Sequence, residues 1–250
     1  MKSWIGAGFL ALAIGLAGCS NGSLQTVEEK RHLELPIAAI ETLEIATASG
    51  DLIVKGDDKA TSIQVDATIN RSPNINPEDI EVTLAEDGAV AQLTSESRAQ
   101  FGVAYMKLKL EVTVPSGLKV AITDGSGDID VSKLAGPLTI ADDSGDIRLK
   151  DVTGEVEIND QSGDIKISKA TALKLIEDDS GDILLEDTVG DVEIRDQSGD
   201  MNIVRHKGNL SISDESGDID IYTVDGNVEI VEDGSGKRSV KNVSGSYTEN

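Results

Sequence analysis

The chain has 250 residues and a formal net charge of −24, from 46 acidic and 22 basic side chains. Residues 121–233 alone contain 29 acidic and 9 basic side chains, and this segment repels nucleic acid and anionic lipid headgroups. Aromatic residues make up only 2% of the chain, so the aromatic platforms of many sugar-cleaving enzymes are not expected. We therefore expect no nucleic-acid partner.

The amino terminus has the pattern of an export signal. Lys2 precedes an apolar run over residues 5–16 that is too short to span a bilayer comfortably. The run ends in Leu16-Ala17-Gly18-Cys19, which resembles the lipobox of bacterial lipoproteins and implies cleavage before an acylated Cys19. An ordinary cleaved signal with an incidental cysteine is the alternative. Ser20 resembles the residue that directs such lipoproteins to the outer rather than the inner membrane.

After the signal, apolar and polar residues alternate in short runs. Examples are Ser62–Ile69 and Lys107–Val114, and alternation with period two predicts half-buried β-strands. Ser49-Gly50-Asp51 reads as an isolated early copy of a motif that recurs later. The predicted segments are a signal peptide at 1–18, a tether at 19–32, a β-rich N-terminal region at 33–119, β-solenoid repeats at 120–233 and a C-terminal cap or tail at 234–250.

The second half of the chain repeats Asp-x-Ser-Gly-Asp every 18 residues from Asp124 to Asp218, with a degenerate further copy at 233–237. A fixed period of this length is typical of a solenoid whose repeats contact mainly their neighbours. Within each period, two apolar-x-apolar strands are separated by glycine-containing corners. The pattern predicts an all-β fold: a two-sheeted parallel β-solenoid with 18-residue coils, preceded by a β-rich N-terminal capping region. Its predicted core comprises Ile129, Val131, Leu138, Ile140 and their equivalents as far as Val228 and Ile230.

Two positions depart from the repeat. At residues 172–176, Ala172 replaces the usual glycine and the apolar side chains that follow fall in the opposite phase. A β-bulge would restore the inward face and is the favoured interpretation, whereas an exposed patch of Leu173 and Leu175 is the alternative. His206 stands where other coils carry Leu or Val, so we expect it to pack in a corner rather than to bind a metal.

Stacked coils would align the motif's carboxylates in two rows. Neighbouring charges about 4.8 Å apart repel by about 0.9 kcal/mol in water and about 3.5 kcal/mol at an effective dielectric constant of 20. We expect exposed corners and the smaller cost, offset by Asx-turn hydrogen bonds. Ca²⁺ binding is the alternative role, and no other cofactor is expected. The candidate cation ligands are Asp124, Asp142, Asp160, Asp178, Asp196 and Asp214 in one row, and Asp128, Asp146, Asp164, Asp182, Asp200 and Asp218 in the other.

The run from Leu108 through Val114-Pro115 into Gly125-Ser126-Gly127-Asp128-Ile129 resembles the bacterial putative-adhesin family, which has serial Ser-Gly-Asp corners and no established function. The resemblance spans roughly residues 33–240 and implies an extracytoplasmic β-solenoid. It implies no catalytic residues.

These features together predict a non-catalytic, lipid-anchored protein of the cell envelope that acts as an adhesin-like scaffold or interaction module. Its expected partners are the membrane, through Cys19, and a protein or glycan whose identity the sequence does not indicate. A polysaccharide-acting β-helix enzyme is the competing class. Catalysis requires carboxylates in different environments, whereas repetition makes these carboxylates equivalent.

Replacing Cys19 with Ala removes the predicted acylation site. We expect Cys19→Ala to leave the membrane fraction and to lose incorporation of a labelled fatty acid, because acyl chains supply the anchor. Ser20→Asp is the matched control, which should keep the label and shift the protein towards the inner membrane. A Cys19→Ala protein that still carries the label would contradict the lipobox.

Overall fold

A computed structural model describes residues 11–15, 26–98 and 105–249. The predicted lipidation site, Cys19, lies outside the described residues. The fold is all-β, as predicted, with one short 3₁₀ helix at Pro77–Asp79. The strands of the first half are β1 (Ala11–Gly15), β2 (Val27–Pro36), β3 (Thr42–Thr47), β4 (Asp51–Asp57), β5 (Ser62–Arg71), β6 (Ile80–Asp87), β7 (Val90–Ser97), β8 (Met106–Pro115) and β9 (Lys119–Asp124).

The second half of the chain consists of shorter strands at regular intervals. They are β10 (Ile129–Ser132), β11 (Leu138–Asp142), β12 (Ile147–Lys150), β13 (Val156–Asp160), β14 (Ile165–Ser168), β15 (Leu173–Asp178), β16 (Ile183–Val189), β17 (Val192–Asp196), β18 (Met201–Lys207), β19 (Leu210–Asp214), β20 (Ile219–Asp225), β21 (Val228–Asp233), β22 (Arg238–Val243) and β23 (Tyr247–Glu249).

These strands form two sheets that face each other across one core. The 12-stranded sheet has the order β1-β2-β5-β8-β4-β10-β12-β14-β16-β18-β20-β22, and the 11-stranded sheet has the order β23-β21-β19-β17-β15-β13-β11-β9-β3-β7-β6. Successive coils pair in parallel and in register, with Ile129 beside Ile147 and Leu138 beside Val156. The predicted two-sheeted solenoid with 18-residue coils is therefore confirmed.

The core follows the predicted alternation. Ile129, Val131, Leu138 and Ile140 are all buried, and the equivalent residues of later coils are buried as far as Ile230. Side chains at alternate strand positions point to the same face of a sheet, so a period of two fills the space between the sheets. A further buried row lies at the corner opposite the Asp-x-Ser-Gly-Asp motif and includes Leu134, Val152 and Ala170.

The irregular half-repeat contains the predicted bulge. Leu173 pairs with Val156 and Leu175 pairs with Glu157, so Lys174 is the extra residue of strand β15. Its ammonium group forms ion pairs with Glu155 and Glu157 on the solvent side. Ile176 therefore returns to the core beside Ile158, and the alternative of an exposed apolar patch is wrong.

An early coil is inserted between two later ones at the N-terminal end of the solenoid. Strands β3 and β4, which flank Ser49-Gly50-Asp51, form a coil that stacks in parallel on β9 and β10. The other side of this coil pairs in parallel with β7 and β8. The early motif copy is thus a true coil of the solenoid, and residues of the N-terminal region share its sheets and its core.

Antiparallel strands cover this end. Strands β2 and β5 extend the 12-stranded sheet and β6 extends the 11-stranded sheet, each in antiparallel pairing. Strand β1, from the predicted signal peptide, pairs antiparallel with β2 at the sheet edge. Because these strands pair antiparallel, the stacking of parallel coils stops at this end of the solenoid.

A buried ion cluster ties the covering strands together. Glu29 accepts a hydrogen bond of 2.7 Å from Nε of Arg31, and its other carboxylate oxygen lies 3.7 Å from Nε of Arg71. The Arg31 guanidinium also donates to the Ile80 carbonyl at 2.6 Å, and that of Arg71 donates to the Ile75 carbonyl at 2.6 Å. Because the charges are paired and also bind carbonyl groups, the cost of burying them is offset.

The segment predicted as a C-terminal cap or tail adds strands to the stack of coils, which we call the rod. Strand β22 pairs in parallel with β20, and β23 pairs in parallel with β21. The preceding strand β21 has a register shift after Ile230, because Val231 is an extra residue. This bulge explains why the last motif copy arrives one residue late.

The close stacking of coils makes the corner glycines hard to replace. Gly163 has a φ of 141°, and a Cβ atom there would lie 1.9 Å from the carbonyl oxygen of Gly145. Both the backbone conformation and the contact exclude a side chain.

We expect Gly163→Ala to lower the free energy of unfolding by roughly 2–4 kcal/mol, from backbone strain and overpacking together. Gly117→Ala is the control, because a Cβ atom at Gly117 meets nothing within 4 Å. Chemical denaturation of both variants measures the difference. Equal stabilities would show that the corners do not require glycine.

Candidate functional site

Each Asp-x-Ser-Gly-Asp motif turns the chain from the 11-stranded sheet into the 12-stranded sheet. The first Asp is the last residue of a strand, as Asp142 is in β11, and the second Asp directly precedes the next strand, as Asp146 precedes β12. Because coils pair in register, the candidate residues lie in two columns along the rod. We call Asp124, Asp142, Asp160, Asp178, Asp196 and Asp214 the inner column, and Asp128, Asp146, Asp164, Asp182, Asp200 and Asp218 the outer column.

The inner column is buried, with only 2–3% of each residue exposed. The expectation that the corners expose all of these carboxylates is wrong for this column. Its physical cause is the strand alternation itself, since Leu138, Ile140 and Asp142 occupy alternate positions and face the same side of β11. The Asp therefore follows two core residues into the interior.

The predicted Asx-turns are present in the inner column. Oδ1 of Asp142 and Asp160 accepts the backbone N–H of the serine two residues later at 3.3 Å, and Asp196 does so at 3.0 Å. The second oxygen, Oδ2, has no hydrogen-bond partner at Asp124, Asp142, Asp160, Asp178 and Asp196. Each of these carboxyls is thus bonded on one side only.

Two residues that the sequence analysis missed extend the inner column. Thr47 pairs in register with Asp124 and with Ser95, and both hydroxyl residues are buried. The Thr47 hydroxyl donates a hydrogen bond to Oδ1 of Asp124. They lie in the inserted coil and its neighbour, outside the repeat, and only the period-two alternation could have indicated them.

Burial raises the pKa values of five inner-column residues, from Asp124 to Asp196. The pKa of Asp142 is about 7 and that of Asp178 is about 7, because of burial first and then of the neighbouring Asp residues in the column. The pKa of Asp160 and that of Asp196 are about 6, again mainly because of burial. Burial also raises the pKa of Asp124, against the hydrogen bond from Thr47.

The outer column is more exposed and better bonded. Oδ1 of each Asp accepts a backbone N–H one coil later, at 3.1 Å from Asp164 to Asp146, at 2.9 Å from Asp218 to Asp200 and at 2.8 Å from Lys237 to Asp218. Arg148 lies between Asp128 and Asp146 and forms ion pairs with both. Its hydrogen bond lowers the pKa of Asp128. These bonds offset the repulsion along the column.

The motif serines bond between coils as well. The Ser144 hydroxyl donates to the Gly125 carbonyl at 3.2 Å, and the Ser180 hydroxyl donates to the Gln161 carbonyl at 3.2 Å. The partner is a backbone carbonyl of the preceding coil, rather than the next serine in the row. These serine hydroxyls therefore bond each corner to the corner of the preceding coil.

The carboxylates form columns rather than a chelating cluster. Within the described part of the chain, no group of three or more His, Cys, Asp or Glu side chains is placed to hold a metal ion. Calcium binding at either column stays a prediction.

His206 packs in the opposite corner, as expected. It is buried, and its Nε2 lies 2.9 Å from the Gly190 carbonyl oxygen, so Nε2 carries the proton. Nδ1 then accepts a hydrogen bond of 2.9 Å from the Thr188 hydroxyl. Burial lowers the pKa of His206, which keeps the ring neutral.

Residues 40–246 match the family model described as Toastrack DUF4097. The chain belongs to this family. The match begins just before β3 and ends just before β23, so the Toastrack domain includes the inserted coil, the covering strands β5 and β6, and all the repeats. No curated protein matches the chain.

Solved structures resemble this Toastrack chain over most of its length. A putative cell adhesion protein from Clostridium sporogenes has 9% identity and a TM-score of 0.45, and the match covers 89% of this chain and 100% of that one. A putative adhesin from Bacteroides fragilis has 14% identity and a TM-score of 0.48, covering 88% and 97%. A putative lipid binding protein from Parabacteroides distasonis has 15% identity and a TM-score of 0.43, covering 88% and 96%. Similarity at this level supports no transfer of function.

Within residues 11–15, 26–98 and 105–249 of the Toastrack chain, no helix is long and apolar enough to cross a membrane.

The Thr188–His206 pair gives a test of the buried corner. Thr188→Val alone leaves Nδ1 of His206 buried without a donor, and we expect a loss of about 1–3 kcal/mol in the free energy of unfolding. The double variant Thr188→Val/His206→Val restores the apolar side chains found at Leu134 and Val152, so we expect it to be more stable than the single variant. Denaturant melts of both variants and the parent at about pH 7.5 measure the difference. A double variant less stable than Thr188→Val would contradict this account.

Proposed function

We propose that this Toastrack chain is a lipid-anchored protein of the cell envelope that serves as an adhesin-like scaffold or interaction module and has no catalytic role. The observation that carries the proposal is a contrast between the inside and the outside of the rod. Inward strand positions repeat Ile, Leu and Val from coil to coil, whereas the outward strand positions of the 12-stranded sheet do not repeat.

The outward face of the 12-stranded sheet shows this contrast at positions that pair directly. One outward row contains Asp130, Arg148, Lys166, Leu184, Asn202 and Asp220. Stability depends on repetition inside a solenoid, so its outward positions are free to differ. A regular frame with a non-repeating face is suited to binding a specific partner.

Part of this face is apolar and exposed. Tyr222 is 52% exposed and lies beside Val204 on the neighbouring strand. Tyrosine is enriched in protein interfaces because it combines a large contact area with a polar hydroxyl. We propose that a protein or glycan partner contacts Tyr222.

The arrangement of carboxyl groups favours a non-catalytic role. The inner-column carboxyls have raised pKa values of the kind found in acid–base catalysts, but their side chains are buried, so a substrate could not reach them. The outer-column carboxylates are reachable, but each bonds the same backbone group of the next coil. This shared bond gives successive outer-column carboxylates similar surroundings, except where Arg148 forms ion pairs with Asp128 and Asp146.

The lipobox supports attachment to the envelope, with the outer membrane favoured by Ser20. In this proposal the acylated Cys19 and the part of the predicted tether that precedes β2 hold the N-terminal end of the rod near the membrane. The outward face of the 12-stranded sheet then extends away from the anchor.

Cross-linking of the anchored protein in cells, followed by binding measurements with the captured partner, tests this proposal. We expect Tyr222→Ala to weaken binding about tenfold, or about 1.4 kcal/mol. Tyr247→Ala is the matched control, because Tyr247 is 42% exposed and belongs to the 11-stranded sheet. Deletion of the gene with no change in adhesion, envelope integrity or captured proteins would refute the interaction role.

A further inference from the structure

The interior of the rod contains one continuous polar column beside its apolar core. Ser95, Thr47 and the inner-column Asp residues pair in register from strand to strand, and every one of them is buried. Neighbouring members are one coil apart, about 4.8 Å along the rod. A column of this kind brings each carboxyl close to two others.

Five of these carboxyls have a donor at only one of their two oxygens. A buried carboxylate needs hydrogen bonds to both oxygens, yet Oδ2 of Asp124, Asp142, Asp160, Asp178 and Asp196 is buried without a partner. The backbone N–H groups of the corner reach only Oδ1, for example at 3.2 Å from Ser180 to Asp178. The nearest groups along the column are other carboxyls, which donate only when protonated.

The charged groups that act on the column from its surroundings are also acidic. Asp143, Asp146, Asp179 and Asp182 each disfavour ionisation of an inner-column residue. Arg148 belongs to the outer side of the corner and is engaged by Asp128 and Asp146. No cation among these neighbours compensates the inner column.

We propose that the inner column holds carboxylic acid protons near neutral pH and that each proton is shared between Asp residues of adjacent coils. A protonated carboxyl donates its O–H to the unpartnered oxygen of the next Asp, so one bound proton satisfies oxygens on two coils. The Thr47 hydroxyl supplies the donor at the first position, Asp124.

The proposal makes the stability of the rod depend on pH. The ordinary pKa of Asp is 3.8, and folding raises it to about 6 or 7 at Asp142, Asp160, Asp178 and Asp196. The folded chain therefore binds more protons than the unfolded chain, and its stability falls as pH rises through about 6 to 7. The lowered pKa of His206 has the opposite effect, so His206 cannot produce this fall.

Thermal melting of the full chain between about pH 5 and pH 8 is the first test. We expect Tm to fall by on the order of 10 °C as pH rises over this range. The double variant Asp142→Asn/Asp178→Asn should lose most of this dependence and should melt above the parent at pH 8. The carboxamide keeps the acceptor for the serine N–H and carries its own donors.

The double variant Asp164→Asn/Asp200→Asn is the matched control. It removes the same charge from the outer column, where Asn keeps the acceptor for the next backbone N–H, as Asn209 does for Asn227 at 3.0 Å. We expect the control to retain the pH dependence of the parent. Equal effects of the two double variants would show a general relief of net charge and would overturn the proposal.

Infrared spectra of the parent chain provide a second readout that does not depend on the folding of any variant. We expect the C=O band of a protonated carboxylic acid at about pH 7 and its loss at about pH 9. A parent without this band at pH 7, or a Tm independent of pH, would refute proton sharing. If millimolar Ca²⁺ raises the Tm of the parent at pH 8 but not that of the inner-column variant, the inner column binds a cation rather than shared protons.

Discussion

Parallel pairing in register between successive coils is the constraint on which the whole molecule depends. Each strand bonds a strand one coil away, so each residue lies beside its counterpart in the next repeat. A residue that stabilises one coil therefore stabilises every coil in which it recurs, as the buried Ile and Leu rows do. A residue that destabilises one coil is repeated in the same way, and the corners contain residues of both kinds.

Glycine and aspartate illustrate the two cases. The corner glycine must recur because the carbonyl oxygen of the preceding coil occupies the space of a Cβ atom. The outer Asp recurs because its Oδ1 extends the backbone ladder by accepting an N–H from the next coil. The inner Asp recurs at a position where core residues would be expected, and burial there raises the pKa values of Asp142 and Asp178 to about 7.

Sequence reasoning reached the solenoid, its core and its bulge because these follow from local periodicity. The alternation of apolar and polar residues predicts that Ile129 and Leu138 are buried, and the phase change near Ala172 indicates an extra residue. The same alternation predicts that Asp142 faces the interior. The interpretation of the motif as an exposed turn led instead to the expectation of an exposed carboxylate. The cluster of Glu29, Arg31 and Arg71 could not be foreseen, because Arg71 lies on β5, far in sequence from Glu29 and Arg31 on β2. The sequence also did not predict which strands pair with β3, since many strands have a similar alternation of apolar and polar residues.

The inserted coil of β3 and β4 affects the order in which the rod can assemble. Repeats from β9 onwards find their partners about one coil away in sequence, but Thr42 pairs with Val90 on one side and Lys119 on the other. Closing such long loops costs more chain entropy than adding a local coil. In chain order this early coil precedes the strands on both of its sides, β7 and β8 on one and β9 and β10 on the other, so both of its edges stay unpaired until those segments fold. The coil of β3 and β4 is thus the first coil in the sequence, but it becomes enclosed only after later segments have paired with it. The stacked coils have no covered N-terminal end until that pairing is complete.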